Sequence, residues 1–243
     1  MGRAKFVSSK GLEYNGRTDE MRSVCFFRKE SVLLNRRALL RSLGGGACSC
    51  FLAERLVAEL SCVNDQFGVR TCQAGIDPNK MDTAYAAQER SQWCWAACLE
   101  MVFTYWRHPV PQEEIVRRTW GADVNMPAQP YQIVRDLNRA WVDSDGNNFR
   151  VAGDVFSANA TTAAYDLADD CPLIVGSLGH AMVVTAITYQ GMPNPYSAAN
   201  VVSVTVRDPW PGMGKRFLTP QEYYGSLLLA RIRVTSLRSR RGG

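Results

Sequence analysis

From Gln92 to Trp106 the apolar residues Trp95, Cys98, Leu99, Val102 and Trp106 recur at steps of three or four. Such spacing lines one side of an α-helix and predicts a helix buried on that face. Ser91 is a candidate N-cap, because its hydroxyl can accept from an unpaired amide of the first turn. "VPQEEIVRRTWG" has Pro111 and acidic residues at its start and Gly121 just past its end, which suits a short second helix. "QPYQIVRDLNRAW", from Gln129 to Trp141, reads as a third helix, ended by the turn "DSDGNN".

Beyond that turn the pattern changes. "NFRVAGDVF" reads as a strand and "TTAAYDLADD" as a helix. "CPLIVGSL", "HAMVVTAITYQ", "NVVSVTVRD" and "LLLARIRVTSL" are rich in β-branched and aliphatic residues and read as strands. "TPQEYYGSL" reads as a short helix before the last of them. A helical half followed by a mostly antiparallel β half predicts an α+β fold. Residues 1 to about 80 carry little periodicity, and "GIDPNKMDTAYAAQ" reads as a leading loop, so ordered structure is expected from about Tyr85. The expected organisation is an amino-terminal extension over 1–80, one domain over 81–236 and a flexible tail over 237–243.

Composition narrows the function classes. Net charge is +5 over 243 residues, and the excess gathers at the ends, in Arg36, Arg37, Arg238, Arg240 and Arg241. No internal basic stripe is interleaved with aromatics, which argues against nucleic-acid binding. No apolar stretch reaches the ~18–20 residues of a membrane span, so stable membrane insertion is not expected. "LLNRRALLRSLGGGACSCFLA", from Leu33 to Ala53, joins a twin arginine to a small and apolar stretch, as a twin-arginine export signal does. Export is therefore the expectation; the alternative is a cytoplasmic chain with a basic amino-terminal arm. The eight cysteines contain no second Cys-x2-Cys pair and there are only two histidines, so no closed zinc site, metal or cofactor is implied. In an exported chain Cys62 and Cys72 can pair; isolated thiols are the other reading.

The remaining chemistry centres on Cys94, in "QERSQWCWAACLEMV". A helix amino terminus favours the thiolate, the reactive form of cysteine. Cys98, one turn on, falls on the packing face. A cysteine nucleophile needs a base. His108 follows Cys94 by 14 residues on or just beyond the same helix, which at ~1.5 Å per residue puts it on the order of 20 Å away; a surface turn before Pro109 is its expected place. His180 remains. It follows Gly179, whose missing side chain admits a closely approaching segment, and it opens an apolar strand. Asp208, at the end of the strand expected to pair with that of His180, is the best group to orient the imidazole. Arg207 should point to the opposite face, and Trp210 is placed to shield the Asp–His contact. Asp169 and Asp170 are weaker candidates at an exposed helix end. The Cys94 N–H and the Gln88 amide are candidate oxyanion donors. Each of these residues also has an ordinary structural reading: a packed thiol for Cys94, a satisfied core histidine for His180, a turn aspartate before Pro209 for Asp208 and a solvated loop residue for Gln88.

These residues carry a resemblance. Gln88, Cys94 and Trp95, in "QERSQWCW", resemble the oxyanion glutamine and nucleophile segment of papain-like cysteine proteases. "GHAMVV" resembles the catalytic-histidine strand, and "DPWPG" stands where that family has Asn-Ser-Trp, with aspartate for asparagine. The chain is most similar to the compact bacterial papain-like proteases that include secreted plant-pathogen effectors, over about Tyr85 to Arg233. The resemblance implies a helical lobe carrying Cys94, a β lobe carrying His180 and Asp208, and a protein or peptide substrate in the cleft between them. It gives the catalytic roles to Cys94, His180 and Asp208 and the oxyanion role to Gln88, with Trp95, Gly179 and Trp210 near the cleft. The rival readings are an amidase or transglutaminase using the same thioester, and a protease-like binding module without turnover. The carboxy-terminal "LRSRRGG" follows no ubiquitin-like domain and reads as a frayed tail.

Overall fold

Between residue 58 and Tyr85, where the sequence shows little periodicity, the chain is already folded. The computed structural model describes residues 58–157, 159–191, 199–226 and 228–237. The twin-arginine stretch and the tail beyond Leu237 lie outside the described residues. Strands β1 (Ser61–Asn64) and β2 (Arg70–Gly75) form a hairpin in which Cys62 lies opposite Cys72, and the two are joined as a disulfide. Helix α1 (Pro78–Ala84) follows, capped by the Asp77 carboxylate, which accepts from the N–H groups of Asn79 and Lys80. The expected leading loop thus contains a helix, and a boundary at residue 80 falls inside it. Its signal is faint because only Met81 and Ala84 are buried in α1, too few to reveal a period.

The helix carrying the candidate nucleophile is α2 (Cys94–Tyr105). Its expected one-sided burial is incomplete as a description. Ala96, Ala97, Met101 and Phe103 are buried as well as Trp95, Cys98, Leu99 and Val102, so α2 is enclosed on nearly all sides. Ser91 is not its cap. Trp93 occupies the N-cap without a side-chain capping bond, and the Ser91 hydroxyl instead accepts from Asn125 Nδ2 at 2.9 Å. Helix α3 (Gln112–Trp120) follows its sequence signals: acidic residues in the first turn, basic residues in the last, and Gly121 at φ 76° as the left-handed cap. Helix α4 (Pro130–Leu137) stops short of the expected Trp141. Asn138 donates from Nδ2 back to the Val134 carbonyl, and the chain extends into β3 (Ala140–Val142), which buries Trp141 in the core.

The second half forms β4 (Asn148–Ser157), α5 (Ala160–Ala168), β5 (Leu173–Ser177), β6 (His180–Gly191), β7 (Asn200–Asp208), β8 (Gly214–Leu218), α6 (Pro220–Gly225) and β9 (Leu228–Ser236). All pairings among the described strands are antiparallel, in the order β1-β2-β6-β5-β9-β4-β3, with β7 on β6 and β8 on β7. Strand β6 is the hub. Its first half pairs with β5 and its second half with β2, while β7 also pairs along it. Helix α2 packs against β6, and Phe103 of α2 meets Trp141 and Phe149 with ring centroids 5.5 and 5.4 Å apart. Helices and sheet therefore share one aromatic-rich core.

His108 does stand in the turn before Pro109, but it is buried rather than on the surface. Its Nδ1 lies 2.8 Å from Asp143 Oδ2 and its Nε2 2.7 Å from Ser236 Oγ, and the ring stacks on Phe149. Burial is tolerated because both ring nitrogens have polar partners. The residue ties the end of α2 to β9.

Candidate active site

Cys94 is the first residue of α2 and His180 the first of β6. Because α2 packs against β6, the two side chains meet. Burial pushes the Cys94 thiol up, but its hydrogen bond with His180, the N–H of Ala181, the imidazole charge and the N–H of Trp95 outweigh that and bring it below the ordinary thiol range. His180 moves the other way. Its hydrogen bond with Cys94 raises it, burial opposes, and the hydrogen bond and charge of Asp208 bring the net shift upward. The two shifts narrow the gap between thiol and imidazole. Cys98, one turn along α2, is pushed far up by burial, with the negative charges of Cys94 and Asp208 adding to it. The helix thus carries two cysteines whose surroundings shift their thiols in opposite directions, and the thiolate is more accessible at Cys94 than at Cys98.

Asp208 closes β7, and its Oδ1 lies 2.6 Å from His180 Nε2, leaving Nδ1 for the thiol. The same oxygen accepts from the Trp210 N–H at 2.8 Å, and Oδ2 accepts from Arg216 Nε at 2.8 Å. Burial raises the Asp208 carboxyl, but these three donors lower it further, so it stays ionised beside the imidazole. The neighbouring Arg207 points away and pairs with Asp82 of α1, as strand alternation requires. Asp170 bonds Lys80 and Tyr105 instead.

The other candidate residues divide. Trp95 is buried, lines the cleft and donates from Nε1 to the Met126 carbonyl at 3.1 Å; Trp93 does the same to Val124 at 2.9 Å. The two tryptophans bracketing Cys94 thus clamp the loop before α4. Trp210 packs its ring edge-on to His180 at 6.2 Å but remains 51% exposed, so it covers one side of the imidazole only. Gly179 lines the cleft, although not for close approach: a Cβ there would meet nothing within 4 Å. Its φ is 81°, and it completes a two-residue turn with Leu178 between Ser177 and His180. Gln88 is buried beside the site, and its N–H donates to the Pro209 carbonyl at 2.8 Å. Its Nε2 donates to the carbonyls of Arg90 and Ser91, which engages both amide hydrogens.

A cleft of about 530 Å³ opens beside Cys94 and His180. Its walls are mostly apolar: Ile133 and Pro127 from the helical side, Ile174, Val155 and Ile232 from the sheet. Gln92, two residues before Cys94, also lines it. Neither Gln92 nor Arg216 carries a signal in the sequence that marks it as a site residue. Arg216 lies in "GKRFL", a short edge strand whose pattern is indistinguishable from a turn, and only the β7–β8 register brings it to Asp208.

A cysteine at a helix start, a histidine at a strand start hydrogen-bonded to it and a cleft between helices and sheet are the features of a papain-like cysteine peptidase, with an α+β fold. Residues 78–225, more than half of the chain, match the family described as papain-like cysteine protease AvrRpt2, and the chain belongs to that family. No curated protein sequence matches it significantly. Among solved structures it is similar to a double glycine motif protease from an AMS/PCAT transporter, determined in complex with the leader peptide. The identity there is 13%, over 62% of this chain and 89% of that one, with a TM-score of 0.39. The peptidase domain of Streptococcus ComA, a bifunctional ABC transporter, is 16% identical over 63% of this chain and 97% of that chain, with a TM-score of 0.42. UfSP from C. elegans is 11% identical over 75% of this chain but only 35% of its own length, with a TM-score of 0.41.

Proposed function

We propose that the chain is an endopeptidase working through a Cys94–His180–Asp208 triad and a covalent thioester. The observation that carries this is the position of His180, hydrogen-bonded to Cys94 on one side and 2.6 Å from Asp208 on the other. In the proposed cycle His180 holds the proton of Cys94, and Sγ attacks the scissile carbonyl carbon. The oxyanion is bound by the Cys94 N–H. Gln88 joins it once one of its amide hydrogens leaves the Arg90 or Ser91 carbonyl. As the tetrahedral intermediate collapses, the C–N bond breaks and His180 protonates the leaving amine. Water then attacks the thioester, giving its proton to His180; the C–S bond breaks, and acid product and free thiol result. Asp208, being charged, stabilises the imidazolium at both stages. The mostly apolar cleft supports a substrate that buries an apolar side chain next to the cleaved bond.

Export of the protein is supported by the Cys62–Cys72 disulfide, since such bonds persist in oxidising compartments.

Incubation with a peptide library in H2(18)O, followed by mass spectrometry, tests the reading. Wild type is expected to cut internal peptide bonds and place one labelled oxygen in each new carboxylate, and Cys94→Ala is expected to cut none. Exchange onto added amines without labelled carboxylates would show a transglutaminase, and no chemistry at all would show a binding module.

A further inference from the structure

Beyond the three triad residues, a closed ring of bonds runs from His180 back to its own strand partner. His180 meets Asp208; Asp208 Oδ2 accepts from Arg216 Nε at 2.8 Å; Arg216 Nη1 and Nη2 donate to the two carboxylate oxygens of Glu222 at 3.3 and 3.1 Å. The Glu222 carbonyl accepts from Ser177 Oγ at 2.9 Å, and Ser177 is the register partner of His180 in the β5–β6 hairpin. Glu222 is itself fixed as the third residue of α6, in a capping box in which Thr219 and Glu222 bond each other's backbone N–H. Gly225, at the end of the same helix, lines the cleft. Glu222 therefore holds the histidine strand through its backbone and the aspartate through Arg216.

We infer that Arg216 and Glu222 are positioning residues of the active site. Arg216 fixes the rotation of the Asp208 carboxylate, and Glu222 fixes Arg216 while offsetting its charge. This deepens the peptidase reading and rests on it for the catalytic consequence alone. Without Arg216, Asp208 is still held at one oxygen by the Trp210 N–H but is free to turn about it. Charges then decide the sign of each effect. The groups facing this cluster are Cys94 and Cys98 from α2, His180 with the Met182 thioether from β6, Asp208 from β7, Arg216 from β8 and Glu222 from α6. With Asp208 and Glu222 negative and Arg216 positive, the ring leaves one net negative charge beside the imidazole. Losing Glu222 cancels it, and losing Arg216 doubles it.

The test is an NMR titration of His180 in the full chain carrying Cys94→Ala, which removes the coupled thiol. The chain has only two histidines, so His180 is assigned by comparison with a His108→Gln variant. Adding Glu222→Gln is expected to lower the His180 midpoint, and adding Arg216→Met to raise it, each by about half a pH unit. Arg216→Lys keeps the charge without the fork, so the midpoint is expected to stay near its starting value. In the Cys94-containing protein the same lysine variant is expected to lose about tenfold in kcat at little change in KM. A merely structural role would move the midpoints together or not at all. Equal midpoints, shifts of the same sign, or an unchanged kcat in Arg216→Lys would each overturn the inference. The titration needs no substrate, so its failure is distinct from a failure to cleave peptides.

Discussion

Cys94 and Cys98 stand one turn apart in α2, and their surroundings drive their thiols in opposite directions. Cys94 has His180 and the N–H groups of Ala181 and Trp95 around its sulfur; Cys98 has burial and the negative charges of Cys94 and Asp208. Among the free cysteines of the described residues, iodoacetamide at pH 6 is expected to label Cys94, leaving Cys98 and the buried Cys171 unmodified until the protein unfolds. His180→Ala removes the largest lowering influence on Cys94 and is expected to slow that labelling at least tenfold. Peptide mapping of the alkylated protein reads both results; comparable labelling of Cys94 and Cys98 would contradict them.

Asp208→Asn is expected to lower the His180 midpoint and to cut kcat/KM by one to several powers of ten, as loss of an orienting carboxylate does. The sign of the stability effect follows from linkage. His180 is raised above its ordinary value of 6.5 in the folded protein, so its contribution is fully present below about pH 6.5 and is lost as pH rises through the folded value. Part of that raise comes from Asp208. The imidazole-dependent part of the stability difference between wild type and Asp208→Asn is therefore expected below pH 6.5, shrinking as pH rises further. Urea unfolding at several pH values measures it.

Leu178 has φ 50° and Gly179 φ 81° in the two-residue turn leading into His180, the positive pair of a type I′ hairpin. A left-handed leucine costs ~1–2 kcal/mol, and its side chain is 86% exposed, so burial returns little. Leu178→Asn creates the Asn-Gly turn this geometry prefers. It is expected to raise stability by about 1 kcal/mol, seen as a higher urea midpoint at unchanged slope. A lower midpoint would show that the leucine makes a contact worth more than the strain.

The Cys62–Cys72 bond closes a short loop at the sheet edge, with a sequence separation of 10. Chain entropy for such a loop predicts a loss of about 3 kcal/mol on reduction. Because β1 is the outermost strand and largely exposed, hydrogen exchange is expected to quicken first at Ser61–Asn64 while β6 keeps its protection. Uniform loss of protection over the sheet would contradict a local role.

Much of this arrangement was legible in the sequence because the relevant elements bury enough side chains to display a period. The steps from Trp95 to Trp106 mark α2, and the β-branched runs mark β6 and β7, so Cys94, His180 and Asp208 could be assigned to element ends before any fold was known. Short elements escaped. Strands β1, β2 and β8 and helix α1 have four to seven residues each with few buried positions, and no period emerges from so few. Helix length in the sequence sets His108 apart from Cys94, but nothing local reveals that it is buried. Its partners Asp143 and Ser236 lie 35 and 128 residues away in sequence, beyond any local pattern. Arg216 was hidden for the same reason, since its importance comes from register with β7. Gln88 shows the opposite limit: its position suited an oxyanion donor, but its bonds to Arg90 and Ser91 are tertiary detail that spacing does not contain.

The central claim is that Cys94 forms the covalent intermediate with His180 as its base. Its most direct test is intact-protein mass spectrometry of samples quenched in acid during turnover of a slowly hydrolysed N-acyl-peptide p-nitrophenyl ester. Wild type is expected to gain the mass of one acyl group, mapped to Cys94 and decaying as substrate is exhausted, with no such adduct in Cys94→Ala or His180→Ala. An adduct on Cys98 or Cys171, or the same adduct level in His180→Ala, would contradict the account.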